Sequence, residues 1–281
     1  MENRIIEQRR FTGERALFSE RDLTVRGCVF EDGESPLKHG ENIRAEGCIF
    51  KWKYPFWYSK GVTAVDTTLL DTARSGIWYA DGVNMTDCTI DAPKTFRRSR
   101  GISLTRVAMN KAQETMWSCR NITMTDCNAV GDYFCMNCEN VTADNLTVSG
   151  NYAFDGCRNV TVRNSRLISK DAFWNCEDVR VENSVIIGEY LGWNSRRVTL
   201  INCTVESNQG MCYIDELTME NCKLINTDLA FEYSTVQADI RSHVVSVKNP
   251  YGGRIVADSI GEIIHESERV DTSLAVIEER V

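Results

Sequence analysis

The sequence predicts an all-β protein, a single-stranded right-handed parallel β-helix of about 12 turns with three short strands per turn and capped ends. Three observations predict it. From Asn121 onward a 19-residue pattern is written five times, as NITMTDCNAVGDYFCMNCE, NVTADNLTVSGNYAFDGCR, NVTVRNSRLISKDAFWNCE, DVRVENSVIIGEYLGWNSR and RVTLINCTVESNQGMCYID. A fixed period of this length marks stacked coils, each burying its apolar face against its neighbours. Apolar and polar residues alternate within each copy, the signature of half-buried strands. Asn, Asp and Gly return at the same two places, where the coil must bend.

With Asn121 as origin, the equivalent positions are Asp22, Asn42, Gly61, Gly82, Gly101, Asn140, Asn159, Asp178, Arg197, Glu216 and Val236. One domain is expected, with an N-terminal cap over 1–21, repeat turns over 22–249 and a C-terminal cap over 250–281. The first strand of each turn points two apolar residues inward, as in Val62 and Ala64, Val83 and Met85, Ile122 and Met124, Val160 and Val162, or Val198 and Leu200. A second inward pair follows, as in Cys127 and Ala129. The third segment ends on Leu37, Phe56, Ile77, Phe96, Met116, Phe154, Phe173, Met211 or Phe231, five residues before the next origin. Five residues after each origin stand Asp66, Asp87, Asp126, Asn145, Asn164, Asn183, Asn202 and Asn221, whose side chains are expected to hydrogen-bond from turn to turn.

The 12 cysteines fall largely into two columns. One holds Cys28, Cys48, Cys88, Cys127, Cys203 and Cys222; in the other Cys119, Cys138, Cys157 and Cys176 alternate with Ser59, Ala80, Ser99, Ser195 and Ser234. Such exchange predicts a small inward side chain and free thiols. Cys135-x-x-Cys138 has no second half, so neither a metal nor a cofactor is expected. A net charge of −8 argues against a nucleic-acid partner. The opening MENRIIEQRRFTGERALF has no apolar run of signal-peptide length, and no later stretch is long enough to span a bilayer; a cytoplasmic protein without a membrane partner is expected.

Directly after the inward residue of the third segment comes a column reading Phe18, Lys38, Trp57, Trp78, Arg97, Trp117, Met136, Asp155, Trp174, Trp193, Cys212 and Glu232. Its charged members predict that it faces solvent, which sets five of the six tryptophans along one exposed stripe. Tyr54, Tyr133, Tyr152 and Tyr190, three residues earlier, add a second aromatic set. An exposed stripe of this kind suits an oligosaccharide, with aromatic faces against pyranose rings and charged groups on hydroxyls. The substrate-binding candidates are therefore Trp57, Trp78, Arg97, Trp117, Trp174, Trp193, Tyr133, Tyr152 and Tyr190. Asp155 interrupts the column, and with Asp171 it is the catalytic candidate for a glycosidase or lyase-like reaction. Extended-strand geometry separates these two by roughly 10–11 Å, slightly longer than the about 5–9 Å of paired glycosidase carboxylates. Glu114, Asp132 and Glu189 are further carboxylates nearby. The plainer reading is fold stabilisation, with Lys38 over Trp57 and Arg97 between Trp78 and Trp117 in cation–π contacts of about 0.5–1 kcal/mol each. The alternative function is a non-catalytic scaffold that uses the stripe for homo-oligomer or partner contacts.

With these features in hand, the chain resembles right-handed β-helices of the pectate-lyase-like superfamily. GERALF (13–18), GESPLKH (33–39), YPFWYS (54–59) and GRIVADSIGEII (253–264) make it similar to an uncharacterised bacterial family known as a domain of unknown function. That resemblance implies the fold and a bacterial cytosolic setting, and it brings no catalytic residues. Polygalacturonase-like hydrolases resemble one another in an N-T-D, a D-D, a G-H-G and an R-I-K, a set the chain does not carry; the R-x-P-x-x-R of pectate lyases is absent as well.

Overall fold

The computed structural model describes residues 4–266 and 268–280 and shows an all-β parallel β-solenoid of about 14 turns. Among the described residues the only helical pieces are the short turns Asp71–Ala73 and Thr272–Leu274, and no helix is long and apolar enough to cross a membrane. The chain forms two compact units, 1–142 and 143–281, and the division falls inside one strand, Glu139–Ser149.

In the first unit the strands Arg21–Arg26, Glu41–Glu46, Lys60–Val65, Asp81–Thr86, Arg100–Thr105 and Arg120–Val130 pair in parallel, each with the turn before it. Register stacks Leu23, Ile43, Val62, Val83, Ile102 and Ile122 in one buried row. A second row of short strands in the same continuous sheet aligns Phe11, Phe30, Phe50, Leu69, Ile90 and Met109. The rings of Phe11, Phe30 and Phe50 stack at 5.0 and 4.5 Å, so Phe50 has no exposed surface. Burying one such side chain stabilises the fold by about 1.5–3 kcal/mol. The second unit repeats the design, with Val160, Val179, Val198, Leu217 and Val236 in one row and Leu167, Ile186, Val205 and Leu224 in the other.

Both ends wind further than the repeat pattern indicates. Arg4–Glu7 pairs with Arg21–Arg26, and Arg10–Phe11 pairs with Val29–Phe30, so the stretch before Asp22 is itself a coil. Past Val236, Gly252–Ala257 and then Ala275–Glu279 join the same sheet, while His243–Lys248 pairs with Ser259–Ile264. The spacing changes here, from Val236 to Gly253 and from Ile255 to Ile277, and the Asn and Cys markers vanish. Sequence periodicity therefore loses turns that the backbone still makes.

The corners behave as their residues dictate. Asn183, Asn202 and Asn221 are left-handed, with φ of 51, 52 and 50°. Their amides bond along the axis, Asn202 Nδ2 to Asn183 Oδ1 at 3.1 Å and Asn221 Nδ2 to Asn202 Oδ1 at 2.8 Å. All 12 cysteines are buried and free. Their exchange with serine has a cause beyond size. Ser195 Oγ donates to Phe173 O at 2.7 Å, as Cys176 Sγ donates to Phe154 O at 2.9 Å, so the column holds a donor for the carbonyl one turn back.

The third segment is bonded from turn to turn but is rarely a regular strand. Only Ile77–Trp78 and Phe96–Arg97 have strand geometry on it among the described residues. Elsewhere alternate residues are left-handed, such as Tyr152 and Phe154, then Asp171, Phe173 and Asn175. Backbone bonds still link the turns, with His39 N to Trp57 O and Tyr58 N to Trp78 O both at 2.9 Å. Because the backbone twists at every second residue, strict in–out alternation fails. The inward residues Leu37, Phe56, Ile77, Phe96 and Met116 are buried as expected. The column after them is turned only partly outward, which corrects the expectation of an exposed stripe: Trp57, Trp78, Trp117, Trp174 and Trp193 are half-buried, and Asp155 and Cys212 are buried.

Candidate functional site

In the N-terminal unit the aromatic column is closed upon itself. Trp57 and Trp78 stack with centroids 5.3 Å apart and planes 12° from parallel. Arg97 lies over Trp78 at 4.7 Å and over Trp117 at 4.5 Å, and Lys38 covers Trp57 at 5.6 Å. Trp57 Nε1 donates to Ser75 O, Trp78 Nε1 to Lys94 O at 2.8 Å and Trp117 Nε1 to Tyr133 O at 3.2 Å. With ring faces covered on both sides, Trp57 and Trp78 offer no platform to a sugar. Arg97 is likewise engaged, its guanidinium pairing with Glu114 at 3.3 Å while its Nε is buried without a partner. The site residues Trp57, Trp78, Arg97 and Trp117 thus form a stabilising ladder, as the plainer reading expected. Tyr133 is exposed beside it.

One position further on, sequence analysis missed a second ladder. His39 stacks on Tyr58 at 5.1 Å, and Tyr58 on Tyr79 at 4.8 Å, with planes 12° and 5° from parallel. These residues are left-handed, at φ of 59, 57 and 58°. Tyr58 and Tyr79 share one place in the repeat, and so do Tyr213 and Tyr233; that recurrence was the available signal.

The C-terminal unit breaks the pattern. In two turns a tyrosine is followed three residues later by a tryptophan, and the two rings touch, Tyr54 with Trp57 at 4.3 Å and Tyr190 with Trp193 at 5.1 Å. In two successive turns one member is replaced by aspartate. Tyr152 is followed by Asp155, and Asp171 is followed by Trp174. The remaining rings meet diagonally, Tyr152 against Trp174 at 6.1 Å and 25°. Both acids have little exposure, 9% for Asp155 and 7% for Asp171.

Electrostatics follow from that burial. Desolvation pushes the Asp155 carboxyl up, and the Asn175 amide, donating to it at 3.2 Å, pulls against the rise. Burial also raises Asp171; Lys170 opposes this, while the charges of Glu189 and Asp155 add to it. No donor bonds the Asp171 side chain among the described residues. Lys170 is drawn off by Glu189 at 3.5 Å and by the face of Tyr190 at 5.0 Å. Trp174 differs from its counterparts as well. Trp193 Nε1 donates to Gln209 O at 2.6 Å, in the manner of Trp57, Trp78 and Trp117, whereas the Trp174 indole N–H has no acceptor among the described residues. An unused donor and two carboxyls raised by burial thus lie on neighbouring turns of one wall.

Of the predicted residues, Asp155, Asp171, Trp174, Tyr152 and Tyr190 come together in the C-terminal unit, with Trp193 one turn on. Asn175 and Lys170 were not foreseen. Of the hydrolase strings named above, Asn226-Thr227-Asp228 supplies only the first. Its Thr227 is buried and bonds Ile225 O at 3.1 Å, and one Asp228 oxygen is buried without a partner.

A family model described as "Protein of unknown function (DUF3737)" matches residues 4–278. The chain belongs to that family. No curated protein matches it in sequence. Among solved structures it is similar to the A-module of the Azotobacter vinelandii mannuronan C-5 epimerase AlgE4, at 10% identity and a TM-score of 0.30, over 97% of this chain and 88% of that one. PfbA, a surface adhesin of Streptococcus pneumoniae, gives 8% and 0.33, over 76% and 71%. A tailspike protein mutant of E. coli bacteriophage HK620, in complex with a pentasaccharide, gives 10% and 0.33, over 98% and 70%. Likenesses this loose bring no site residue to the family member described here.

Proposed function

We propose that the protein binds an oligosaccharide on the outer wall of its C-terminal unit and that Asp155 and Asp171 act on it as a proton donor and a base or nucleophile. The observation that carries this reading is the pair of nearly buried carboxyls, each raised by burial and Asp171 further by the charge of Asp155, on the same two turns as the stacked Tyr152 and Trp174. Acid–base work at neutral pH calls for carboxyls tuned upward in this way. The free Trp174 N–H supplies a directional contact for a ligand hydroxyl. Neither a metal nor a cofactor enters the reading.

Its test is incubation of the purified protein with neutral and acidic polysaccharides, following reducing ends, unsaturated products and sugar inversion. Asp155→Asn and Asp171→Asn are expected to lower turnover by about 100-fold or more. Unchanged turnover in both variants, or none on any glycan, overturns the reading.

A second reading, contact with another protein chain, is favoured by one observation in the N-terminal unit. Tyr58 and Tyr79, on successive turns, stay 42% and 37% exposed although their rings stack on each other. Sedimentation of wild type against Tyr58→Ala tests it; a single unaltered species in both argues against self-association.

A further inference from the structure

Beyond Trp193 the aromatic wall of the C-terminal unit continues through residues that the repeat analysis passed over. Trp193 meets Tyr213 at 5.0 Å, Tyr213 meets Tyr233 at 5.3 Å, and Tyr233 meets Tyr251 at 5.2 Å. These rings are inclined to one another by 56, 47 and 46°. In the N-terminal ladder, by contrast, near-parallel rings hide each other's faces. Fanned rings leave part of each face uncovered, and Tyr213 and Tyr251 are 42% and 45% exposed. With Ile214, Asp215 and Thr235, the three tyrosines line an open cleft of about 320 Å³.

Asp215 is the only charged residue of the lining, and the Thr235 hydroxyl approaches its carboxylate at 3.4 Å. Next to Tyr233 stands Glu232, whose partner Lys248 is shared with Glu266. Aromatic faces with one acceptor-rich rim suit a ligand that is flat and apolar on its face and hydroxylated at its edge. The Asp215 carboxylate repels an anionic one.

We infer that the Tyr213–Tyr233–Tyr251 cleft binds neutral pyranose units of an oligosaccharide. The inference rests on the oligosaccharide reading of the carboxylate pair and deepens it. The ligand would be a neutral chain long enough to run from Trp174 past Trp193 onto the tyrosines, which excludes single sugars and polyuronates as the preferred partner. Apolar ring faces stack on the tyrosines, hydroxyls donate to Asp215, and the indole N–H of Trp174 meets the chain at its acid-bearing end.

The experiment is a titration of the full chain, read by tryptophan fluorescence, with maltohexaose, cellohexaose, xylohexaose and hexagalacturonate. At least one neutral hexasaccharide is expected to bind. Tyr233→Ala is expected to raise its Kd at least tenfold, about 1.4 kcal/mol, and Tyr233→Phe to leave most of the affinity. Tyr251→Ala, at the exposed last ring, is a second variant should Tyr233→Ala unfold; a loss of about threefold or more is expected. Hexagalacturonate should bind at least tenfold more weakly. The inference is overturned if no neutral hexasaccharide binds, if hexagalacturonate binds more tightly, or if folded tyrosine variants keep wild-type affinity. Asp155→Asn and Asp171→Asn separate the two readings. Tyrosine-dependent binding with unaltered turnover in these variants removes the carboxylate role alone, whereas lost turnover with tyrosine-independent binding removes the cleft alone.

Discussion

The ring of Tyr152 stacks on the indole of Trp174 one turn later, with 6.1 Å between centroids, and the two positions that would complete an aromatic square are Asp155 and Asp171. Placing carboxyls there costs desolvation energy that a ring would not.

That cost predicts a pH-dependent gain on neutralisation. Both carboxyls hold their proton more tightly in the folded chain than in the unfolded one. The folded state therefore binds the extra proton between the ordinary aspartate range and the raised value, and stability falls as pH rises through that window. Asp155→Asn and Asp171→Asn should each melt higher than wild type at pH 7, by roughly 2 °C or more. The advantage should vanish near pH 3, where wild type is protonated as well, a comparison that calorimetry at the two pH values makes directly.

Arg97 should be hard to replace even by lysine. Two cation–π contacts and the pairing with Glu114 meet at one planar group. Arg97→Ala is expected to cost about 1–2 kcal/mol in urea unfolding, and Arg97→Lys more than half of that, because an ammonium cannot lie flat between two indoles.

How much of this was legible in the sequence depends on which wall is considered. The rows of Val62, Val83 and Ile102 and the Asn183–Asn202–Asn221 corner could be read directly, since strand alternation and left-handed preference are local properties. The third wall could not be read so well. Its alternating left-handed residues, such as Asp171 and Phe173, break the two-residue period, so a column expected outside is half inside. Asp155 stood out because it interrupts an aromatic column, and Asp171 because it lies near that column. Their burial, the idle N–H of Trp174 and the fan of Tyr213, Tyr233 and Tyr251 depend on ring orientation, which spacing does not encode.

Ser195 tests the reason for the serine–cysteine column. Its hydroxyl accepts Cys176 N at 2.9 Å and donates to Phe173 O at 2.7 Å, both buried. Ser195→Ala should destabilise by about 1–3 kcal/mol, the cost of leaving such groups unpaired, and Ser195→Cys by less. Chemical denaturation of the pair decides between donor and mere filler.

Gly188 sets the approach of the turn that carries Glu189 and Tyr190. Its φ is 152°, and a Cβ there would stand 2.1 Å from Ser169 O. Gly188→Ala should therefore cost about 2 kcal/mol or more. Glycan binding should weaken with it, which fluorescence titration of the folded fraction would report.

The thiols should be silent in the native state. Burial pushes Cys48 up to about 11 and Cys212 up to about 12, and all twelve thiols lie inside. At pH 8 a maleimide should label none within minutes and all twelve after denaturation; mass spectrometry counts both.

The one-to-one register of Val160, Val179, Val198 and Leu217 has an evolutionary corollary. A coding segment of one period could be duplicated or excised by unequal crossing-over, and each surviving coil would still meet a neighbour of the same kind. Such a gene can change its length by whole rungs, and the reach of its outer wall grows or shrinks by the same step.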